Sequence, residues 1–280
     1  MPSDTPKAKP PTRTETKTVS IPSIPQDIID EILDYFAIDS DHLNVSTRAS
    51  VLGSLRSCAL VSKSWAQSCR RHLFRTVVFD SRAVNRWLKV FPVAEESPTH
   101  CVRNLTIWIA SNDHVPEAFF ECTPWFTNVE EISLRGYGGG PPLRRPSLWR
   151  LPQSITTLDL NSSEVTPVQL RDIMAQLPNL DNLSLVGSFV AVDRRELLGI
   201  GTVLRGRFGG QLIFSSGRNG EDVINMLLEI PSGLRFTEVQ VYGSSGGHPS
   251  AVRLAEACSK TVVKLLHHET FSHGKSHHCF

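Results

Sequence analysis

A short apolar pattern recurs along most of this chain, and the regular spacing of its copies restricts the possible fold more than any other feature. The pattern is apolar-x-x-apolar-x-apolar, as in Val129, Ile132 and Leu134. Its copies start at residues 74, 102, 129, 155, 180, 209, 236 and 262, with a weak match at 209. Successive copies are therefore 25 to 29 residues apart. A period of this length is typical of repeat proteins, in which each unit packs against its neighbours.

The last two apolar positions of each copy predict a short strand with one buried face. A strand turns alternate side chains to opposite faces, so the residues next to these positions should face water. In five copies they are all polar: Asn104, Thr106, Glu131, Ser133, Thr157, Asp159, Asn182, Ser184, Glu238 and Gln240. The alternation predicts about eight short strands.

The stretches between these strands predict helices. Apolar residues follow Asp80 at helical spacing, and Thr166-Pro167 is an N-cap followed by a proline. Asp193 and Glu196 have the spacing of a capping box, and Pro249 opens a fourth helix. Strand, turn and helix in one short unit predict an α/β repeat solenoid over residues 76–270, with parallel strands and outer helices.

Three short helices are predicted before the repeats, over residues 21–75. The first places Ile28, Ile29, Ile32 and Leu33 on one face, opposite several acidic residues. A helical module of this size buries little apolar surface by itself. We therefore expect its apolar face to be covered by a second polypeptide.

The segments IPSIPQDIIDEILDYF and LRSCALVSKSWAQSCRRHLF resemble the F-box. The similarity depends on Ile24-Pro25, on the isoleucine and leucine cluster of the first helix, and on the spacing from Leu55 to Trp65. The loop over residues 37–50 is longer than the usual link of that family. The repeats resemble irregular leucine-rich repeats in their apolar skeleton, although the regular asparagine position is missing. The combination is similar to F-box proteins abundant in mushroom-forming fungi.

The resemblance implies a substrate receptor of a cullin-based (SCF-type) ubiquitin ligase and no enzyme activity in this chain. The F-box would bind a Skp-type adaptor, and through it a cullin, with these residues: Pro25, Ile28, Ile29, Ile32, Leu33, Leu55, Cys58, Val61 and Trp65. The solenoid would bind an unknown target protein on its concave strand face, where the candidates are Trp108, Glu131, Arg135, Asp159, Glu238 and Tyr242. Two alternatives stay open: a leucine-rich-repeat scaffold that acts without ubiquitin ligation, and a metal-dependent enzyme.

Composition excludes several other classes of protein. The 280 residues are 40% hydrophobic and 20% charged, with a formal net charge of +1. Nucleic-acid binding requires a basic patch that displaces counterions, and the sequence has no domain-scale excess of Lys and Arg. No apolar run is long enough to cross a membrane. Six cysteines without paired spacing favour reduced thiols. We therefore expect a cytoplasmic or nuclear protein.

The remaining motifs predict neither a cofactor nor a catalytic residue. Residues 1–20 are rich in Pro, Thr and Lys and predict a disordered tail. The histidines from His267 to His278 could ligate a metal, although residues 271–280 are more typical of a flexible tail. The Gly- and Pro-rich segment 136–150 predicts a loop, which either contacts a partner or is a degenerate linker. No phosphate-binding or nucleophile motif is present.

Overall fold

The computed structural model contains an all-parallel sheet that follows three helices. It describes residues 24–38, 45–109, 119, 122–136, 150–161, 165–187, 189–191, 204, 206–216, 220–244 and 249–270. The predicted tails at residues 1–20 and 271–280 and most of the predicted loop at 136–150 lie outside these ranges. The helix predicted after Asp193 also lies largely outside them.

Seven α-helices, eight strands and three short 3-10 helices (Ala94–Glu96, Pro98–Cys101 and Thr123–Trp125) lie in the described part of the chain. The helices are α1 (Gln26–Ile38), α2 (Val45–Ala59), α3 (Lys63–Leu73), α4 (Ser81–Val90), α5 (Pro167–Met174), α6 (Gly220–Leu228) and α7 (Pro249–Cys258). The strands are β1 (Thr76–Phe79), β2 (Asn104–Ile109), β3 (Glu131–Gly136), β4 (Thr157–Asn161), β5 (Asn182–Gly187), β6 (Gln211–Ser216), β7 (Glu238–Ser244) and β8 (Lys264–Thr270). In these ranges no helix is both long and apolar enough to cross a bilayer.

The eight strands form one open parallel sheet in which spatial order follows chain order. Neighbouring strands are in register with the repeat, so that Ile132 pairs with Leu158 and Leu158 with Leu183. The expected parallel strands and the α/β repeat arrangement are therefore confirmed. Since each crossover connects adjacent strands, every repeat packs on the one before it.

The inward side chains of successive strands form a continuous buried ladder. From β1 to β7 each of them has an exposed fraction of at most 8%: Val77, Phe79, Leu105, Ile107, Ile132, Leu134, Leu158, Leu160, Leu183, Leu185, Leu212, Phe214, Val239 and Val241. Backbone hydrogen bonds join the repeats just before each strand. The carbonyl of Thr156, for example, accepts from the N–H groups of Asp181 and Asn182. Burial and hydrogen bonding thus follow the same period.

The weak repeat deviates from the predicted pattern by one residue. The pattern placed its first core position at 209, which is a glycine, but the buried side chain is that of Phe208. The Phe208 ring packs edge-on against Phe236, with centroids 6.0 Å apart. Phe208 has a positive φ of 48°, which residues with a Cβ rarely adopt. Phe208 lies four residues before Leu212, whereas the corresponding separation in the other copies is three, so the extra residue falls between Phe208 and Leu212.

The helices after Asp80, Thr166 and Pro249 are confirmed by α4, α5 and α7. Asp80 caps α4 by accepting from the N–H of Ala83. Thr166 and Gln169 form a complete capping box at the start of α5. Helix α6 was not foreseen, although Glu221 and Asp222 in its first turn are typical of a helix start.

The three N-terminal helices have a small core of their own, separate from the ladder. Its fully buried members are Ile29, Leu33, Leu55 and Cys69, and Trp65 packs against them. The predicted apolar face of α1 is divided: Ile29 and Leu33 lie in this core, whereas Ile28 and Ile32 are exposed. Helix α3 contacts the 3-10 helix Pro98–Cys101, which precedes β2. This contact joins the helical module (residues 24–75) to the part of the chain that contains the sheet.

Candidate functional site

An apolar stripe lies on the exposed side of α1. Its helical members, Ile28, Ile32 and Tyr35, are four and three residues apart and so share one side of the helix, and Ile24, two residues before the helix begins, is exposed as well. The exposed fraction of Ile28 is 43%, whereas that of its neighbour Ile29 is 1%. We call these four residues the α1 stripe.

The residues expected to bind an adaptor occupy three environments. Pro25, Ile28, Ile32 and Val61 are exposed. Cys58 and Trp65 are partly buried against the core of the helical module. The other three, Ile29, Leu33 and Leu55, lie inside that core. The structure therefore leaves only part of the predicted set directly accessible to a partner, and the remainder supports the helices that carry it.

Polar contacts hold α1 against α3 on the side of α1 opposite the stripe. Ser68 Oγ donates to Asp30 Oδ1 at 2.6 Å, and Gln26 Nε2 donates to the same oxygen at 3.0 Å. These hydrogen bonds, helped by the Arg71 guanidinium, lower the pKa of the Asp30 carboxyl. Because the charged form is favoured, these contacts fix the orientation of α1 at neutral pH.

A second surface is formed by the outward side chains of the strands, which we call the polar face of the sheet. In the half of this face nearer β1, Arg135 of β3 contacts three neighbouring side chains. Its guanidinium lies 5.8 Å from the ring centroid of Trp108, its Nε donates to Ser133 Oγ at 3.1 Å, and it forms an ion pair with Asp159 at 3.5 Å. Ser133 Oγ in turn donates to Asp159 Oδ2 at 2.9 Å. We call these four residues the Arg135 cluster.

A comparable group lies near the other end of the polar face. Lys264 Nζ donates to Glu238 Oε1 at 2.7 Å, and Gln240 Nε2 donates to the same oxygen at 2.8 Å. Tyr242 Oη donates to Gln240 Oε1 at 3.0 Å. The hydrogen bonds from Lys264 and Gln240 lower the pKa of the Glu238 carboxyl. These four residues are the Glu238 cluster.

Smaller side chains separate the two clusters. Beyond their first residues, the outward positions of β5 and β6 hold Ser184, Val186, Ile213 and Ser215, all half-buried. The first residues, Asn182 and Gln211, are joined by a hydrogen bond from the Gln211 N–H to Asn182 Oδ1. From β3 to β7 there are four strand spacings, or roughly 19 Å at the usual 4.8 Å between strands, so the two clusters lie well apart on the polar face.

Five of the six residues expected to bind a target belong to these clusters: Trp108, Arg135, Asp159, Glu238 and Tyr242. The sixth, Glu131, lies on the same face at the start of β3. Sequence reasoning missed Ser133 and Lys264 as binding candidates. Their signal was available, because both occupy outward positions of predicted strands and pair in register with neighbouring strands.

Three of the described cysteines are poor nucleophiles. Burial raises the pKa of the Cys258 thiol to about 11, and it also raises the pKa of Cys69 and Cys101. A thiol is reactive only as the thiolate, so these three are largely unreactive at neutral pH. Among the described residues no three His, Cys, Asp or Glu side chains are grouped to hold a metal. The side chains from His267 to Cys279 lie outside that set.

Comparison with known proteins does not add an assignment. A scan against protein-family models finds no match, and a search of curated proteins finds no significant match. The two surfaces therefore carry the functional conclusion.

Proposed function

We propose that this chain is the substrate-recognition subunit of a cullin-based (SCF-type) ubiquitin ligase. The helical module is an F-box that docks a Skp-type adaptor, and the sheet is an irregular leucine-rich-repeat domain that binds a target protein. Ubiquitin transfer takes place on other subunits, so this chain needs no catalytic residue. Its contribution is to raise the local concentration of target lysines by tethering.

The exposed α1 stripe is the observation that carries this proposal. The core of the helical module is formed by other residues, and Ile24, Ile28 and Ile32 face water. Single exposed apolar side chains are ordinary, but a row along one helix is typical of a protein-interaction site. The sequence of this same helix resembles the F-box, so the stripe supports docking of an adaptor.

The polar face supports the second half of the proposal. Trp, Tyr and Arg are the residue types that contribute most binding energy at protein interfaces, and Trp108, Arg135 and Tyr242 are present here. The hydrogen bonds within each cluster hold these side chains before a partner arrives. Less conformational entropy is then lost on binding.

The double substitution Ile28→Glu with Ile32→Glu tests the adaptor site. It places two carboxylates on the proposed interface but leaves the module core intact, because both side chains already face water. We expect adaptor binding to weaken by at least ~2 kcal/mol, as for buried interface anchors. Co-expression with a Skp-type adaptor followed by calorimetric titration measures this. Ile29 is unsuitable for the test because it lies in the core.

The matched control is Val90→Glu, which adds a carboxylate at an exposed valine of α4 and should leave adaptor affinity unchanged. Equal affinity of the double variant and the wild type would contradict the α1 stripe as the docking site. A wild-type chain that binds no adaptor would favour the alternative of a repeat scaffold acting without ubiquitin ligation.

A further inference from the structure

Helix α4 has an exposed side that carries basic residues and no acid. Arg82, Arg86 and Lys89 are four and three residues apart, so they share one side of the helix, and all three are exposed. The other side faces the core through Val84, which is 2% exposed, and through Trp87. Among the described residues none of the three basic side chains forms an ion pair. We call Arg82, Arg86 and Lys89 the basic face of α4.

The basic excess is concentrated in α3, β1 and α4. Residues 63–90 contain seven Lys or Arg residues and one acid, Asp80, which gives this segment a formal charge of +6. The whole chain has a formal charge of only +1. The carboxylate of Asp80 accepts from the backbone N–H of Ala83 as the N-cap of α4. The single acid of the segment is therefore used to begin the helix.

The other described helices of the repeats have no comparable face. On α5 the guanidinium of Arg171 pairs with Asp172, and α6 has two acids in its first turn. On α7 Arg253 donates to Asn225 Oδ1 at 3.0 Å. Like charges four residues apart on one helix destabilise it, so the arginine pair on α4 does not serve stability. This contrast indicates that the basic face serves binding.

Exposed apolar residues follow the basic face directly. Val90 is 65% exposed and Val93 is 43% exposed, and Pro92 beside them is exposed as well. The basic face extends roughly 10 Å along the helix axis, from Arg82 to Lys89. The surface thus changes from basic to apolar at the C-terminal end of α4.

We propose that the basic face of α4, together with Val90 and Val93, binds an acidic segment of a partner protein in which apolar residues adjoin the acids. Charge complementarity identifies the acids, since a guanidinium pairs with a carboxylate through two parallel N–H groups. The apolar residues of the partner would cover the two valines. This inference does not depend on whether the helical module binds an adaptor.

Two other polyanions fit this surface less well. Nucleic-acid binding depends on many phosphate contacts, whereas the basic face has three basic residues and leaves the valines uncovered. A helix at a membrane surface buries its apolar side among the lipids. In α4 that side is already packed on the core through Val84 and Trp87. An acidic protein segment is therefore the favoured partner.

Fluorescence anisotropy of the full chain with a labelled peptide tests the site. The probe is a short peptide of Asp and Glu residues followed by Leu and Val, and a second probe has Asn and Gln in place of the acids. We expect only the acidic probe to bind, and more weakly at about 500 mM than at about 50 mM NaCl, because salt screens exposed charges. The variant Arg82→Glu with Arg86→Glu should raise the Kd of the acidic probe at least ~10-fold, because like charges then meet.

The matched control is Arg235→Glu with Lys260→Glu, which makes the same change of charge at exposed residues near the other end of the sheet. This control should bind the acidic probe like the wild type. The variant Val90→Ser with Val93→Ser should bind this probe more weakly, but its affinity for a probe with Ser in place of Leu and Val should equal that of the wild type.

Hydrogen exchange of the wild type gives a readout that does not depend on how a variant folds. The acidic probe should slow exchange in residues 82–93 and leave α7 unchanged. A wild-type chain that does not bind the acidic probe would overturn the proposal, as would equal affinity of the wild type and the double arginine variant. Tighter binding of single-stranded oligothymidylate, or of vesicles of equal parts phosphatidylcholine and phosphatidylserine, would also overturn it.

Discussion

Individual residues at the junction of β5 and β6 explain how the weak repeat keeps its register. Asn182 Oδ1 accepts from the backbone N–H of Gln211 at 2.7 Å, and Asn182 Nδ2 donates to Thr157 Oγ1 at 3.2 Å. At the other junctions one backbone carbonyl accepts from two successive N–H groups, whereas here the Asp181 carbonyl accepts only from Gly210 and the Asn182 side chain accepts from Gln211. Gly210 is necessary for this arrangement, because a Cβ there would lie 2.0 Å from Asn182 Oδ1.

The substitution Gly210→Ala should therefore destabilise the chain by about 1–3 kcal/mol, the usual cost of breaking a part-buried hydrogen bond. In an Asn182→Ala background the same substitution should cost much less, because the obstructing atom is gone. Urea denaturation of the four chains measures this coupling. Additive effects would contradict the proposed contact.

The control for that experiment is Gly53→Ala in α2. A Cβ at position 53 would meet no atom within 4 Å. Alanine in a helix interior loses less conformational entropy than glycine, so this variant should be more stable by about 0.5–1 kcal/mol. The two glycines thus predict opposite signs for the same chemical change.

The residues of the polar face were predictable as a group because strand alternation alone assigns their side. Trp108, Arg135 and Tyr242 follow from it directly. The contacts of these residues could not be predicted, because the Arg135 cluster joins residues of three neighbouring strands. The positive φ of Phe208 could not be predicted either, because the spacing of the apolar pattern favoured residue 209 as the core position.

At the scale of elements, helical periodicity identified the apolar residues of α1 but not which neighbour covers them. Helix α3 packs beside Ile29 and Leu33 and leaves Ile28 and Ile32 outside. A sequence of one helix has no information about the angle at which another crosses it. The strands were more predictable, because a parallel repeat restricts both neighbours of each strand.

Contacts between α3 and α1 predict a pH dependence of stability. Burial lowers the pKa of His72 below its usual 6.5, and Asp34, 3.5 Å away, offsets this only in part. Arg75 and Arg71 act in the same direction as burial. As the pH falls, His72 is therefore protonated at a higher pH in the unfolded chain than in the folded chain. The contribution of His72 to the free energy of unfolding is complete above about pH 6.5 and declines below it.

We expect the variant His72→Gln to lose less stability than the wild type when denaturation is compared at about pH 7.5 and about pH 5.5. The matched control is His100→Gln, at an exposed histidine, which should keep the wild-type dependence. An identical pH dependence in His72→Gln and wild type would contradict the assignment.

Across the whole molecule, the residues that the structure describes form two separate hydrophobic cores. One is the ladder of the sheet with the helices beside it, and the other belongs to the helical module. Phe74, at the end of the module, packs edge-on against Trp87 of α4 at 5.9 Å between ring centroids. The two parts therefore touch, but their buried apolar side chains form two distinct clusters.

Substitution in one core should consequently affect that part more than the other. Both Leu33→Ala and Leu158→Ala should cost about 2–5 kcal/mol locally, as buried leucines usually do. Native-state hydrogen exchange should show loss of protection in α1 to α3 for the first variant and in the strands around β4 for the second. Equal loss of protection throughout the chain for both would contradict two cores.

The in-register stacking of the strands separates the positions that maintain the fold from those that, under the proposed function, would meet a partner. Each strand contributes alternate side chains to the ladder and to the polar face, and the two sets do not overlap. Substitutions at outward positions can therefore accumulate without disturbing the interior. Under the proposed function, selection can change the outward residues that bind a partner one position at a time, while the buried residues that stabilise the fold stay the same.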